Sequence, residues 1–225
     1  MAKRSASTGK PLRSAYARAK AINEKLAKTY PDAHCALNFE NPLQLLVATI
    51  LSAQCTDVMV NKVTPALFKR CPTAKHYAEI DDAELQELIR PTGFFRNKAK
   101  NLKAMGKVLV EKYHGKVPGT LDELVELPGV ARKTANVVLG ECFDTPGITV
   151  DTHVGRLSRR MGLTKEEDPV KVERDLHALI PQEDWTIFSH RMIWHGRQIC
   201  IARKPKCAYC LVADLCPSRE LFLGA

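Results

Sequence analysis

Residues 120–156 read TLDELVELPGVARKTANVVLGECFDTPGITVDTHVGR, and this stretch decides how the rest of the chain is interpreted. Thr120, with Glu123 three residues later, is the capping-box pattern that begins a short helix. A Pro-Gly pair then predicts a turn, and a second helix is expected over about 131–142. Asp151 follows another Pro-Gly loop, and it is placed to cap a third helix.

A hairpin of two helices like this one has a physical use in binding phosphate. Its turn at Gly129 exposes backbone N–H groups beside a helix N-terminus, where the helix dipole favours an anion. Lys133 in the first turn of the second helix and Asp151 one loop later can then face the same bound backbone. The residues alone leave a second interpretation open, in which Lys133 is merely solvated and Asp151 is only a cap.

The composition fits a chain with a substantial core and a polyanionic partner. Its 225 residues suit one large domain or two small ones, and 45% of them are hydrophobic. The formal net charge is +9; residues 1–30 hold eight Lys or Arg against one Glu, and residues 96–116 hold seven against one. This distribution is expected if one side of the protein faces phosphate, although charge alone fits many basic proteins equally well.

Helical start signals recur along the chain, and no stretch shows the alternation typical of a strand. The sequence therefore predicts an all-α fold. Helices are expected over 11–30, from Asn41-Pro42, from Thr56-Asp57 with a disturbance at Pro65, from Asp81, over 97–114, over 152–161, from Asp168-Pro169 to 180, and over 182–200.

The cysteines fall into two groups. No secretory signal or membrane-length apolar run is present, so a reducing compartment is expected and disulfides are not. Four scattered cysteines are expected to be small core residues: Cys35, Cys55, Cys71 and Cys142. The other four have the spacing C-x6-C-x2-C-x5-C, which indicates a metal centre but leaves zinc and iron–sulfur both open: Cys200, Cys207, Cys210 and Cys216.

These motifs together carry a family resemblance. LPGVARKTA at 127–135 followed by PGITVDTH at 146–153, with LLVATILSAQCTD at 45–57 and the C-terminal cysteines, resembles the endonuclease III family of DNA glycosylases. The resemblance covers nearly the whole chain after the first dozen residues. One departure lies in the hairpin, where the family commonly has a second Gly and this chain has Ala131. The Cβ of Ala131 requires a negative φ or slightly more room.

The resemblance implies a bifunctional DNA glycosylase and AP lyase of base excision repair that excises oxidised pyrimidines. It implies that Lys133 is the catalytic nucleophile, forming a Schiff base that permits β-elimination, and that Asp151 is the catalytic carboxylate. A lysine amine is almost entirely protonated at neutral pH, and a helix dipole alone corrects this too little. Desolvation by the hairpin and by bound DNA is therefore expected to activate Lys133.

The resemblance also implies a cofactor and a set of DNA contacts. The four C-terminal cysteines are expected to hold a structural [4Fe–4S] cluster. Gln54 is expected to enter the space left by an extruded base, and Phe94 to act as a wedge while Phe95 packs inward. Further expected DNA contacts are Gly129, Ala131, Arg203, Lys204 and Lys206, and expected pocket residues are Ser52 and His153.

The implied architecture is two helical domains flanking a DNA-binding groove. Residues 36–148 are expected to form a helical barrel with the hairpin, and residues 11–35 with 149–225 an iron–sulfur cluster domain. Residues 1–10 are expected to be a disordered basic tail, with a transit peptide as the alternative. The expected partner is double-stranded DNA with damaged pyrimidines or abasic sites, and no membrane is expected as a partner. The protein is expected to act as a monomer at the nucleoid in a bacterial cytoplasm, with mitochondrial targeting as the alternative.

Two other functions remain to be compared with this one. A relative that removes adenine in a monofunctional reaction usually lacks the lysine and carries an extra C-terminal domain, whereas this chain has Lys133 and ends nine residues after Cys216. A non-catalytic helix-hairpin-helix protein that only binds DNA needs neither Lys133, nor Asp151, nor a cluster.

Overall fold

The computed structural model describes residues 14–223, and these residues contain helices and turns but no β-strand. The predicted all-α fold is therefore confirmed, whereas the predicted basic tail, residues 1–10, lies outside the described residues. No helix within residues 14–223 has the length and apolar character needed to cross a membrane. In chain order the α-helices are α1 (Ala15–Thr29), α2 (Pro42–Leu51), α3 (Asp57–Arg70), α4 (Ala74–Glu79), α5 (Asp82–Ile89), α6 (Phe95–Tyr113), α7 (Leu121–Val125), α8 (Arg132–Cys142), α9 (Thr152–Arg160), α10 (Pro169–His177), α11 (Trp185–Gln198) and α12 (Glu220–Leu223).

Side-chain caps account for most of the helix starts that the sequence predicted. Asn41 Oδ1 accepts a hydrogen bond from the Gln44 backbone N–H at 3.0 Å, directly before the proline that begins α2. Asp81 Oδ1 accepts from the Ala83 and Glu84 backbone N–H groups in the first turn of α5, at 2.9 and 3.0 Å. These bonds satisfy N–H groups that have no partner inside the helix. The same device begins α3, α7, α9 and α10, through Thr56, Thr120, Asp151 and Asp168.

Tertiary packing explains the places where the sequence prediction was less accurate. The helix α3 continues through Pro65 to Arg70, so the expected disturbance does not end it; its apolar face is buried on both sides of the proline. The short helix α4 was not predicted, because it is polar and has no side-chain cap. It is fixed instead by the burial of Ala74 and Tyr77.

The chain divides into two compact units, of which one is His34–Thr149. The helix α2 lies at the centre of this unit, because every residue from Leu45 to Leu51 is buried. It packs against α3, α6 and α8. The helices α4 and α6 approach so closely that a Cβ on Gly106 would lie 2.8 Å from the Ala74 carbonyl oxygen. Gly106 is therefore required for this packing.

The other unit consists of the segment through Ala33 and the segment from Val150 onward. Here α1 packs against α11, and α9 packs against α10 and α11. Ile22 and Leu26 of α1 are fully buried, and each such burial contributes roughly 1.5–3 kcal/mol. Lys25 Nζ donates to Asp214 Oδ1 at 2.6 Å and to the Leu211 carbonyl at 3.0 Å. These contacts bind the N-terminal helix to the C-terminal loops.

Candidate functional site

The helices α7 and α8 form the hairpin that the sequence predicted. The Thr120 hydroxyl lies 2.6 Å from Glu123 Oε2, and the Glu123 backbone N–H donates to the Thr120 hydroxyl at 3.4 Å. Gly129 in the turn has φ of +81°, which only glycine adopts without strain. Ala131 has φ of −88° in extended backbone, as its Cβ requires, and its side chain gives no cap to α8. The first N–H groups of α8 are therefore suited to a phosphate oxygen.

Lys133 lies in the first turn of α8, as expected, and its side chain is exposed. The helix directs Ala135, Val138 and Leu139 into the core, which leaves the lysine on the outer face. The hairpin alone therefore leaves the lysine exposed, and its desolvation by the hairpin together with bound DNA stays a prediction.

Three of the predicted DNA-contacting residues line one surface pocket of the His34–Thr149 unit. Gln54, Phe94 and Gly129 share an open depression with side chains of α6. Gln54 is exposed and lies in the turn after α2, which ends three residues earlier, so it is not the last residue of that helix. Asn97, Lys98 and Asn101 contribute the α6 wall of the pocket.

The two adjacent phenylalanines point in different directions. Phe94 is 63% exposed and has φ of +48°, directly before α6. Phe95 is half-buried against the core, with the guanidinium groups of Arg90 and Arg96 at 5.6 and 5.7 Å from its ring centre. Ser52 is not among the residues that line this pocket; its hydroxyl donates to the Thr49 carbonyl at 2.8 Å.

Asp151 and His153 begin α9 in the other unit. Asp151 Oδ1 accepts from the Val154 backbone N–H at 2.8 Å, which confirms the predicted cap. His153 is half-buried, and burial lowers its pKa. Arg156 Nη2 lies 3.2 Å from His153 Nδ1; because a guanidinium only donates, Nδ1 accepts and the ring is neutral. His153 is thus held locally, and its pocket role stays a prediction.

The four C-terminal cysteines line one small cavity. All four are free thiols. Burial raises the pKa of Cys210 to about 11 and also raises the pKa of Cys207 and Cys216, and the neighbouring thiols add to each increase. Holding several thiolates together is therefore unfavourable unless positive charge is bound among them. Within residues 14–223, no three His, Cys, Asp or Glu side chains are grouped so as to bind a metal ion.

The four cysteines offer a donor set that either zinc or an iron–sulfur cluster takes. Four thiolates around zinc close directly on the ion, at about 2.3 Å, and leave no space between them. An iron–sulfur cluster instead places several iron and sulfide atoms between its cysteines. Two backbone N–H groups, of Val212 and Ser218, already hydrogen-bond to Cys210 and Cys216. Four thiols, with N–H donors at two of the sulfurs, form a donor set that fits a cubane cluster.

Two residues beside the cysteines, and one in the His34–Thr149 unit, were not predicted from the sequence. Arg160 donates to Cys200 Sγ at 3.4 Å and to the carbonyls of Ile201 and Ala202, both at 2.8 Å. His195 is fully buried with Nε2 at 3.4 Å from Cys210 Sγ. Lys98 is buried on α6. Of the three, only the burial of Lys98 is indicated by the sequence, because Lys98 lies at helical spacing from the apolar residues Leu102, Met105 and Leu109.

The loop between Cys200 and Cys207 carries the predicted basic residues on its surface. Arg203, Lys204 and Lys206 are all exposed, and Pro205 between them is buried. The Lys206 backbone N–H donates to the Ile199 carbonyl at 3.0 Å, which closes the loop. The three cations are therefore presented together on a short, constrained loop.

Comparison with known proteins identifies the family. The model of the HhH-GPD superfamily base excision DNA repair proteins matches residues 47–182. Endonuclease III of Synechocystis sp. (strain PCC 6803) is 59% identical over 196 residues, which span 87% of this chain and 90% of that protein. The chain belongs to the endonuclease III family.

Solved structures of this family resemble the chain closely. A non-covalent endonuclease III–DNA complex matches with a TM-score of 0.90 and 44% identity, covering 93% of this chain and 99% of that one. A trapped endonuclease III–DNA covalent intermediate, with an estranged adenine, matches with a TM-score of 0.88 and 44% identity, covering 92% and 97%. The chain is thus a bifunctional DNA glycosylase and AP lyase of base excision repair.

Proposed function

We propose that this endonuclease III family member excises oxidised pyrimidines from double-stranded DNA through the amine of Lys133. One observation carries the proposal: an exposed lysine stands in the first turn of α8, beside a glycine turn and a helix N-terminus that lacks a side-chain cap. A phosphate bound at that N-terminus holds the sugar next to the amine. The same phosphate and the DNA around it exclude water from Lys133, which favours the neutral amine.

The reaction follows from an amine nucleophile at a sugar carbon. Lys133 Nζ forms a bond to C1′ while the bond from C1′ to the base nitrogen breaks, and the base leaves with that electron pair and takes up a proton. The sugar ring opens as O4′ accepts a proton, which leaves a Schiff base between Lys133 and C1′. Loss of a proton from C2′ then expels the 3′ phosphate, so the strand is cleaved by β-elimination.

Asp151 is the carboxylate of this mechanism. Its Oδ1 is engaged by the Val154 N–H, so the side chain is held in one orientation while its second oxygen remains available. A fixed carboxylate stabilises positive charge that develops on the sugar as the base departs. It can also carry the protons that the ring-opening and elimination steps require.

The [4Fe–4S] cluster belongs to the same proposal, held by Cys200, Cys207, Cys210 and Cys216. The four free thiols, the N–H donors at two of them and the cysteine spacing that resembles the endonuclease III family support this choice. When bound, the cluster supplies a cross-link between the end of α11 and the C-terminal loops and leaves no site open to substrate. The unit that holds the four cysteines, made of the segment through Ala33 and the segment from Val150 onward, is the cluster domain. The His34–Thr149 unit is the helical barrel domain.

The proposed DNA contacts come from both units. Gln54 enters the space of the extruded base, Phe94 wedges between base steps, and the hairpin at Gly129 and Ala131 binds a phosphate. Arg203, Lys204 and Lys206 bind further phosphates. The chain acts as a monomer. Its DNA substrate and its bacterial relatives support a location at the nucleoid.

Borohydride trapping on a duplex with one oxidised pyrimidine tests the proposal. The wild-type protein is expected to give a covalent adduct and Lys133→Gln to give none. Arg132→Gln is the matched control, because it removes a neighbouring cation from the same helical turn but no amine. Trapped adduct in Lys133→Gln would place the nucleophile elsewhere. Tight binding by the wild type without any adduct, even on an abasic-site duplex, would favour the monofunctional or the non-catalytic function.

A further inference from the structure

Lys98 is a buried cation without an acidic partner. Its side chain is 5% exposed, and burial lowers its pKa. No carboxylate in the described part of the chain forms an ion pair with it. Its ammonium instead donates to two backbone carbonyls, of Leu51 and Thr92, each at 2.8 Å. A buried charge persists only where such bonds compensate its lost hydration, so these two hydrogen bonds stabilise the Lys98 ammonium in the interior.

The two carbonyls end two separate segments. Leu51 is the last residue of α2, and its carbonyl is one of those that lack a partner within the helix, at the negative end of the helix dipole. Thr92 is the last residue of the 3₁₀ turn 90–92, after α5. Lys98 itself lies in the first turn of α6. The Lys98 ammonium therefore connects α6 to the starts of both loops, the one after Leu51 and the one after Thr92.

Each of these loops immediately presents one of the proposed DNA-contacting residues. Gln54 follows Leu51 by three positions, and Phe94 follows Thr92 by two. Both have left-handed backbone, with φ of +52° and +48°. Non-glycine residues are strained in that region and persist only when their surroundings fix them. Both side chains line the same pocket, to which Lys98 also contributes.

We propose that Lys98 is a positioning residue that fixes the separation of the Gln54 and Phe94 loops, so that both side chains enter the duplex together when the damaged base is turned out. The inference rests on the proposed function, since it needs Gln54 and Phe94 to contact DNA. Lys98 does not touch the reacting sugar; it acts through the two loops. Its loss should impair work on base-paired DNA much more than work on a sugar that needs no extrusion.

The test compares two substrates of each protein. One is a duplex with an oxidised pyrimidine, and the other is a single-stranded oligonucleotide with an abasic site, which has neither a base to extrude nor a partner strand. The quantity measured is the ratio of the borohydride-trapping rates on the two. Lys98→Met keeps the length of the side chain and removes the charge and donors. Its ratio should fall at least about tenfold, since a displacement of about 1 Å can cost 10²-fold in rate.

The matched control is Lys103→Met on the same helix. Lys103 Nζ also donates to a backbone carbonyl, of Ile80 at 2.7 Å, and pairs with Asp82, but it ties down neither DNA-contacting loop. Its ratio should equal that of the wild type. A general loss of folded protein lowers both rates alike and leaves the ratio unchanged. If Lys98→Met does not fold, Lys98→Arg keeps a buried cation but alters the distance between the carbonyls, and its ratio should also fall.

A spectroscopic readout and a double-mutant cycle test whether Lys98 affects the duplex rate through the Gln54 and Phe94 loops. The fluorescence of 2-aminopurine placed opposite the lesion should rise on binding the wild type and rise less with Lys98→Met. Combining Gln54→Ala with Lys98→Met should lower the duplex rate less than the product of the two single effects. A wild-type ratio in whichever Lys98 variant folds, or fully multiplicative effects, would overturn the inference. Failure of the wild type to trap either substrate would instead overturn the proposed function.

Discussion

The Tyr30 hydroxyl lies 3.0 Å from His195 Nδ1, and the opposite nitrogen of that ring lies 3.4 Å from Cys210 Sγ. Tyr30 is 6% exposed and His195 is fully buried, so the hydrogen bond between these two side chains is largely shielded from water. If the hydroxyl donates to Nδ1, the Nε2–H is left to donate to the sulfur. The tyrosine at the end of α1 thereby orients a donor toward a proposed cluster ligand.

Tyr30→Phe should weaken the cluster site without changing any cysteine. Removal of the hydroxyl leaves Nδ1 buried and unsatisfied, which should lower the free energy of unfolding by about 1–3 kcal/mol. The visible absorbance of the cluster should be lost faster in the presence of an iron chelator. Tyr113→Phe is the control, since its hydroxyl lies 3.4 Å from the exposed Glu126. Equal bleaching rates in the two variants would contradict the proposed orientation.

Iron content gives the direct check on the cysteine array. The wild-type protein should contain about four irons per chain, and Cys207→Ser should lose most of them, because the hydroxyl is a poor replacement for a soft thiolate ligand. Cys142→Ser is the control, since Cys142 packs against the core of the other unit. Zinc in place of iron in the purified wild type would contradict the cluster.

Gly106→Ala should destabilise the His34–Thr149 unit. Its Cβ would lie 2.8 Å from the Ala74 carbonyl oxygen and 2.8 Å from the Ala78 nitrogen, both backbone atoms, so α4 and α6 would have to separate. The expected loss in the free energy of unfolding is about 1–3 kcal/mol, measured by denaturant titration.

The control for Gly106 is another glycine inside a helix. Gly155→Ala in α9 meets neighbours at 3.5 and 3.8 Å, ordinary contact distances. This substitution should be neutral or stabilise by up to about 1 kcal/mol, because alanine reduces the freedom of the unfolded chain. If both substitutions had the same effect, close helix packing at Gly106 would not be the cause.

The parts of the fold that the sequence predicted are those with a local chemical cause. Asn41, Thr120 and Asp151 cap helices through bonds to residues three positions away, so the pattern and its partner are both visible in a short window. The spacing of the four C-terminal cysteines is likewise visible in a short window of sequence. The start of α8 and the negative φ of Ala131 also follow from neighbouring residues.

The parts that the sequence did not predict depend on contacts between distant residues. Lys98 meets the Leu51 carbonyl 47 positions away, and in the sequence it is simply one of the seven cations of residues 96–116. The exposure of Lys133 depends on which face of α8 packs against α2. The left-handed backbone of Gln54 and Phe94 has no residue signature, since neither is a glycine.

Gly129→Ala should disable the hairpin for two reasons that can be separated. The φ of +81° would be strained by any Cβ, at about 1–2 kcal/mol, and that Cβ would also lie 2.9 Å from the Asn101 Cβ. Asn101 belongs to α6 and cannot move without its helix, so the turn and the N-terminus of α8 should shift. The trapping rate on an abasic-site duplex should fall at least about tenfold, because a displaced hairpin no longer aligns Lys133.

Gly115→Ala isolates the strain from the contact. Gly115 has the same φ of +81°, but a Cβ there meets nothing within 4 Å. Both substitutions should therefore lower the free energy of unfolding by a similar backbone contribution, while only Gly129→Ala lowers the trapping rate. The dependence of DNA affinity on salt should also become shallower in Gly129→Ala alone, since a phosphate contact is lost. An unchanged trapping rate in Gly129→Ala would mean that the hairpin turn does not position the lysine.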